Sequence, residues 1–153
     1  MALEYDWSGD TDLDTAALRD FIAAVTAGTQ SPDGTVFLNG MYVSARAVAG
    51  DDVNPAIKLF GFDKRFTATF RFSTAADEAT TDHNTALMVH VLTRFAQRHG
   101  GSGVLLHNGE EAVLQYDGAG IAFAESRECW TDNNEVAQML APFVSRELPQ
   151  PFV

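Results

Sequence analysis

The 153-residue chain has few of the features that identify membrane or disulfide-stabilised proteins. Its one cysteine, Cys129, cannot form an internal disulfide, which is typical of a reducing compartment. No apolar run approaches the roughly 18 residues that a membrane helix needs. The segment MALEYDWSGD has neither a basic n-region nor an apolar h-region, so we expect no signal peptide. These absences together predict a cytoplasmic location without membrane association.

Basic residues are also scarce. Ten lysines and arginines stand against 21 aspartates and glutamates, which gives a net charge of −11. Such a chain should be repelled by nucleic acid and by anionic membranes, and attracted to basic partners. The acid is concentrated in residues 1–20 and 110–135, whereas residues 58–71 are mostly basic. We therefore predict no nucleic-acid partner, and an acidic region beside a smaller basic one.

The sequence lacks the local signatures of common catalytic and cofactor sites. HExxH, GxSxG, GxxxxGK[ST] and a GxGxxG that opens a helix do not occur. Cys129 has no motif around it, and His83 and His90, seven residues apart, do not have zinc-ligand spacing. We accordingly predict no catalytic residue, no metal site and no cofactor.

The densest group of titratable residues is in VLLHNGEEAVLQYDGAGIAF, residues 104–123. His107, Glu110 and Glu111 could in principle bind a metal or move a proton. However, Asn108-Gly109 lies between two strand-like segments, and this pair favours the turn of a β-hairpin. Adjacent glutamates on a strand point to opposite faces. We interpret His107 and Glu110 as a cross-strand pair that flanks the turn.

Hydrophobic periodicity predicts the first strand and the first two helices. Residues 2–7 alternate, with Leu3, Tyr5 and Trp7 on one face, as in a half-buried strand. LDTAALRDFIAAVTAG reads as a helix that Asp12 or Asp14 caps and Gly28 ends in the left-handed conformation. TTDHNTALMVHVLTRFAQRHGG reads as a second helix that Gly100 stops.

The remaining patterns predict strands and one more helix. Two strands should flank Asn39-Gly40 in a type I′ turn, and residues 65–73 alternate strongly. Residues 50–57 read as a loop. A helix near 132–147 should kink or end early at Pro142. The predicted core consists of Leu18, Phe21, Ile22, Phe66, Phe70, Phe72, Met88, Leu92 and Phe95.

The predicted order is β-α-β-β-β-α-β-β-β-α. Tight hairpins without regular alternation of strand and helix indicate an α+β fold, with a mainly antiparallel sheet and helices packed on one face. The length favours a single domain over residues 1–153.

No chemistry in the sequence uses the abundant acid, so we interpret the loop carboxylates as docking sites for a basic partner. The candidate partner-binding residues are Asp51, Asp52, Asp77, Glu78, Glu110 and Glu111.

Three segments carry a resemblance to a known family. They are FGFDKRFTATFRF, the helix end FAQRHGG, and VLLHNGEEAVLQYDGAGIAF with Trp130 soon after. The chain resembles the Sit-type immunity proteins, which neutralise cognate contact-delivered bacterial toxins. The resemblance implies inhibition of a protein toxin by tight binding, without catalysis, and an acidic inhibitor fits a toxin with a basic surface.

Two other functions stay open at this point. A small-molecule-binding or catalytic domain would need a pocket with convergent polar groups. A structural or adaptor domain would self-associate through an edge strand. The favoured reading is an immunity protein that is a monomer or a weak homodimer.

Overall fold

Nine strands form one sheet in the computed structural model, which describes residues 3–49, 55–125, 130 and 132–151. The strand order is β2-β3-β4-β5-β1-β6-β7-β8-β9, and every neighbouring pair is antiparallel except β8 and β9. The strands are β1 Leu3–Gly9, β2 Thr29–Gln30, β3 Val36–Leu38, β4 Met41–Ala47, β5 Phe66–Phe72, β6 Gly103–His107, β7 Glu111–Asp117, β8 Gly120–Ala124 and β9 Val144–Arg146. The predicted α+β class with a mainly antiparallel sheet is confirmed.

The helices are α1 Thr15–Thr26, α2 Pro55–Lys58, α3 Glu78–His99 and α4 Asn134–Leu140. Side chains of α1, α3 and α4 belong to the main core, on what we call the inner face of the sheet. The short α2 belongs to a second, smaller core on the opposite, outer face. The prediction that helices pack on one face is therefore confirmed for the three predicted helices, and α2, which the sequence did not predict as a helix, lies on the other face.

The inner face carries the predicted aromatic core. Phe66 and Phe70 are fully buried and Phe72 is nearly so, as the alternation of β5 requires. Trp7 lies at the centre, with ring centroids 4.9 Å from Phe66 and 5.0 Å from Phe95, both edge to face. The other predicted core residues are buried or packed against this cluster, so the core prediction is confirmed.

The outer face is covered on only part of its width. On β6, β7 and β8 it presents Val104, Leu106, Ala112, Ala122 and Ala124, which are buried. Side chains from residues 57–62 and from the C-terminal segment lie over them, and these are Ile57, Phe60, Phe62 and Leu148. The Gln150 side chain fastens that segment by hydrogen bonds to the backbone N–H and carbonyl of Ala112.

The ends of α1 match one prediction and correct another. Asp14 is the N-cap, and its Oδ1 accepts from the backbone N–H of Ala17 at 2.7 Å. The left-handed residue at the C-terminus is Ala27, with φ 59°, and not Gly28. Gly28 is needed for a different reason, since a Cβ there would lie 2.6 Å from Cγ1 of Val36.

The two predicted Asn-Gly turns differ. Asn108 and Gly109 both have positive φ, at 51° and 72°, as a type I′ turn requires. At the β3–β4 turn only Gly40 does, so the type I′ prediction is wrong there. This turn packs against α3, because the side-chain amide of Asn84 donates to the Asn39 carbonyl at 2.8 Å.

Two segments near Pro residues contain short elements that the sequence did not predict. The last helix ends at Leu140, which confirms the early stop before Pro142, and the chain then forms β9 instead of continuing as a helix. Of the predicted loop 50–57, the part from Pro55 is the helical turn α2, whereas residues 50–54 lie outside the described part. Three-residue strands and one-turn helices are too short for periodicity to reveal.

Candidate partner-binding surface

One end of the sheet carries the four predicted acidic residues that the structure describes. Strand register places the start of β1, the start of β4 and the end of β5 together, since Leu3 and Met41 both pair with Phe72. The β6–β7 turn lies at the same end, because Tyr5 pairs with His107. We call this end of the sheet the acidic end, because it carries the ten carboxylates described in the next paragraph.

The acidic end carries ten described carboxylates against two described arginines, Arg71 and Arg146. The carboxylates belong to the start of β1, to the starts of α3 and α4, to the β6–β7 hairpin, and to the residues just after β8 and β9. They are Glu4, Asp77, Glu78, Asp82, Glu110, Glu111, Glu125, Asp132, Glu135 and Glu147. Ten negative charges and two positive ones leave a net charge of −8 at this end.

Outside the acidic end the described charges nearly cancel, and we call this remaining part, which is mostly the opposite end of the sheet, the balanced end. Its carboxylates are Asp6, Asp10, Asp12, Asp14, Asp20, Asp33, Asp63 and Asp117, and its cations are Arg19, Arg46, Lys58, Lys64, Arg65, Arg94 and Arg98. Eight negative and seven positive charges leave a net charge of −1. Most of the chain's net charge of −11 is therefore concentrated at the acidic end.

The structure divides the predicted partner-binding residues into two described pairs. Asp77 and Glu78 start α3, and Glu110 and Glu111 form the β6–β7 hairpin. Strand β1 lies between β5, which leads into α3, and the β6–β7 hairpin, so the two pairs occupy different parts of the acidic end. Asp51-Asp52 lies outside the described residues.

Asp77 also has a structural role. It is the N-cap of α3, and its Oδ1 accepts from the backbone N–H of Thr80 at 2.8 Å. Hydrogen bonds from the side chain and the backbone of Thr80 lower the pKa of Asp77 below its usual value. Glu78 and Glu110 are exposed and have no such role in the described contacts, so their charges are free to face a partner.

Comparison with known proteins identifies the family. The model of the SitI3-like family matches residues 3–134, which is most of the chain. The chain belongs to the SitI3-like family. SitI proteins are immunity proteins of contact-dependent toxin systems, as the resemblance implied. No curated protein and no solved structure matches the chain.

Family membership favours a non-catalytic role, and the histidines fit a structural reading. His107 pairs with Glu111, not with Glu110 as expected, because Glu110 is part of the turn and Glu111 begins β7. His107 Nδ1 is 3.8 Å from Glu111 Oε1, and its ring lies 5.2 Å from that of Tyr5. Across the described chain, no three His, Cys, Asp or Glu side chains are placed to hold a metal ion.

A second histidine pair joins two helices. His83 Nδ1 lies 3.1 Å from a carboxylate oxygen of Glu135, and both side chains are more than half exposed. Nearby, the side-chain amide of Asn133 donates to the Asp82 carbonyl at 2.8 Å. These contacts fix the start of α4 against the start of α3 and bring their acidic residues together.

A groove of about 890 Å³ lies between α1 and α3. Phe21 and Ala17 contribute from α1, and Arg94 and Arg98 from α3. The main core fills the space between the helices and the inner face of the sheet. None of the described helices has the length and apolarity to cross a bilayer.

Sequence reasoning identified four of the ten carboxylates at the acidic end. It missed Glu4, Asp82, Glu125, Asp132, Glu135 and Glu147 as members of one surface. Acid-rich stretches did stand out in the sequence, but residues 1–20 divide between the two ends, with Glu4 at one and Asp10, Asp12 and Asp14 at the other. Clustering along the chain is therefore a poor guide to clustering in space.

Proposed function

We propose that the protein is an immunity protein that neutralises a cognate bacterial toxin by binding it directly, without catalysis, and that the acidic end faces a basic surface of the toxin. The observation that carries this proposal is the net charge of −8 at one end of the sheet, in a chain of an immunity-protein family. The other end is nearly balanced, so the asymmetry gives the molecule a preferred orientation toward a cationic partner.

Inhibition would work by covering a functional surface of the toxin. In a toxin that acts on nucleic acid, the groove that binds the substrate is basic, and carboxylates of the acidic end would stand where phosphates otherwise lie. Complementary charge raises the rate of encounter and rejects partners of the wrong sign. Salt screens these charges over about 8 Å at physiological strength, so the association rate should fall as salt rises.

The location and the assembly state belong to the same proposal. An immunity protein of this kind acts in the cytoplasm on the incoming toxin. It would act as a monomer or a weak homodimer, because the acidic end repels a second copy of itself. Asp51 and Asp52 lie outside the described residues, so their contact with the toxin stays a prediction.

The test is the association rate with the cognate toxin, to be sought among the products of the neighbouring genes, across a salt series. A triple variant, Glu78→Gln, Glu110→Gln and Glu125→Gln, removes three exposed charges from the acidic end. Its matched control, Asp12→Asn, Asp63→Asn and Asp117→Asn, removes three exposed charges from the balanced end. We expect the first variant to associate more slowly with a flatter salt dependence, and the control to remain close to wild type.

Asp51→Asn with Asp52→Asn is a separate variant, which tests whether these two predicted residues contact the toxin. Folding should be nearly unchanged in all of them, since exposed substitutions usually stay within about 0.5 kcal/mol. Failure of the wild-type protein to bind or inhibit the toxin contradicts the proposed function. Tight binding with equal effects of the two triple variants would instead show that the acidic end is not the interface.

A further inference from the structure

Four side chains form a row across the uncovered part of the outer face. Phe37 on β3 pairs with Tyr42 on β4, Tyr42 pairs with Arg71 on β5, and Arg71 pairs with Glu4 on β1. Directly opposed residues on a sheet lie side by side on one face. We call Phe37, Tyr42, Arg71 and Glu4 the cross-strand row.

The members of the row hold one another in place. The rings of Phe37 and Tyr42 are 5.9 Å apart, and Arg71 Nη1 donates to the Tyr42 hydroxyl at 3.2 Å. On its other side, Arg71 Nε lies 3.2 Å from Glu4 Oε2. The guanidinium is thus fixed in orientation between a phenol and a carboxylate, which reduces the entropy that a partner must remove on binding.

The fold has little need for this row. Phe37 is 50% exposed, and the side chain of Arg71 is 48% exposed. An ion pair this open to water contributes between about 0 and 1 kcal/mol to stability. A half-exposed phenylalanine likewise contributes less to the core than a buried one. Aromatic residues and arginine are, in contrast, the side chains that dominate binding energy at protein interfaces.

The charges around the row indicate what it binds. Glu4 belongs both to the row and to the acidic end. One step further along the sheet, the Thr69 hydroxyl donates to Asp6 Oδ1 at 2.8 Å, which fixes a second carboxylate on the same face. A basic partner that meets the acidic end would therefore continue onto Glu4 and Asp6, with the aromatic rings beside them.

We propose that the cross-strand row is the anchor of the toxin interface: a basic segment of the toxin places an apolar side chain against Phe37 and Tyr42, and a lysine or arginine against Glu4 and Asp6. This inference rests on the proposed function and assigns the association and the dissociation of the toxin to different surfaces. The acidic end sets the association rate of the toxin, and the cross-strand row sets its dissociation rate.

The experiment measures association and dissociation rates of the cognate toxin with Phe37→Ala and Arg71→Ala. Matched controls are Leu59→Ala, whose side chain is exposed to a similar degree at 49%, and Arg94→Ala, an exposed arginine on α3. Each row variant should raise Kd at least about ten-fold, mostly through faster dissociation. Each control should change Kd less than about two-fold, and denaturation midpoints should stay near wild type.

The possible results separate the two proposals. If the wild-type protein does not bind the toxin, the proposed function itself fails. Tight binding that Phe37→Ala and Arg71→Ala leave unchanged overturns the row as the anchor and leaves the proposed function intact. If the wild-type protein without toxin shows a concentration-dependent mass that Phe37→Ala abolishes, the row is a contact between two copies of this chain, and the proposal is also overturned.

Discussion

The outer face of the sheet is built in two different ways on its two halves. On β6, β7 and β8 it is apolar and covered by α2, the residues after it and the C-terminal segment. On β3, β4, β5 and β1 it is polar and mostly open. The border falls between β1 and β6, where Asp6 on one strand pairs with the buried Leu106 on the next.

The difference shows that one sheet can serve stability and recognition side by side. The covered half adds a second layer of buried apolar surface, which is the main source of folding free energy. The open half leaves its side chains available, and its arginine and aromatic residues fit a protein partner. Since both halves share one inner core, the open half does not need an outer layer to fold.

The largest loss of stability is expected on the inner face, which the two halves of the sheet share. Phe70 lies on the inner face of β5 and is fully buried. Phe70→Ala should lower the free energy of unfolding by about 3–5 kcal/mol, because it removes a large side chain and leaves a cavity. Chemical denaturation monitored by circular dichroism measures the change. An unchanged midpoint would show that the inner core does not support the open half.

A pair of substitutions across the border tests the comparison itself. Leu106, on the covered half, is 4% exposed, whereas Thr69, on the open half, is part-buried and hydrogen-bonded to Asp6. Leu106→Ala should cost about 2–5 kcal/mol. Thr69→Ala should cost about 0.5–1.5 kcal/mol, the net value of one hydrogen bond. Equal losses in the same denaturation assay would mean that the two halves are equally important for stability.

The cover itself is tested at the C-terminal segment. Leu148 is 3% exposed and packs on the second core, whereas its neighbour Glu147 is exposed. Leu148→Ala should destabilise the protein by about 2 kcal/mol, the low end for a buried leucine, because a terminal segment can relax around the cavity. Glu147→Ala should stay within about 0.5 kcal/mol. Faster proteolysis after residue 140 in the leucine variant alone would support the role of this segment as a cover.

The smallest effect on stability is expected at low pH, from the carboxylate of Asp77 at the start of α3. Hydrogen bonds from Thr80 lower the pKa of Asp77, although this residue lies within the acidic end. A carboxylate with a lowered folded-state pKa stabilises the fold above its unfolded value of about 3.9, and the contribution is lost as the pH falls through the folded pKa. Asp77→Asn keeps a capping oxygen but cannot titrate.

The wild-type protein should therefore lose thermal stability more steeply than Asp77→Asn between about pH 4 and the folded pKa of Asp77, where the carboxylate becomes protonated. Thermal unfolding midpoints over a pH series measure this difference. Parallel curves for the two proteins would contradict the assigned role of the charge.

Local patterns predicted the elements that are long and face a single environment. The alternation of β5 placed Phe66, Phe70 and Phe72 correctly, and the stripe of α3 did the same for Leu92 and Phe95. In β6 the run GVLLH is buried on both faces, so its pattern does not alternate and does not reveal what covers it. The covering parts, α2 and the segment after β9, are too short to have a period of their own.

The sequence by itself determined the types of the longer elements, the inner core and the total charge, because each follows from local periodicity, turn chemistry or composition. Only the tertiary structure decided where the charge lies and which half of the outer face stays open. Strand β1 is inserted between β5 and β6, residues far from it along the chain, and this pairing brings Glu4 beside Arg71 and near the β6–β7 hairpin. Strand order depends on contacts between distant segments, and no pattern within a single segment contains that information.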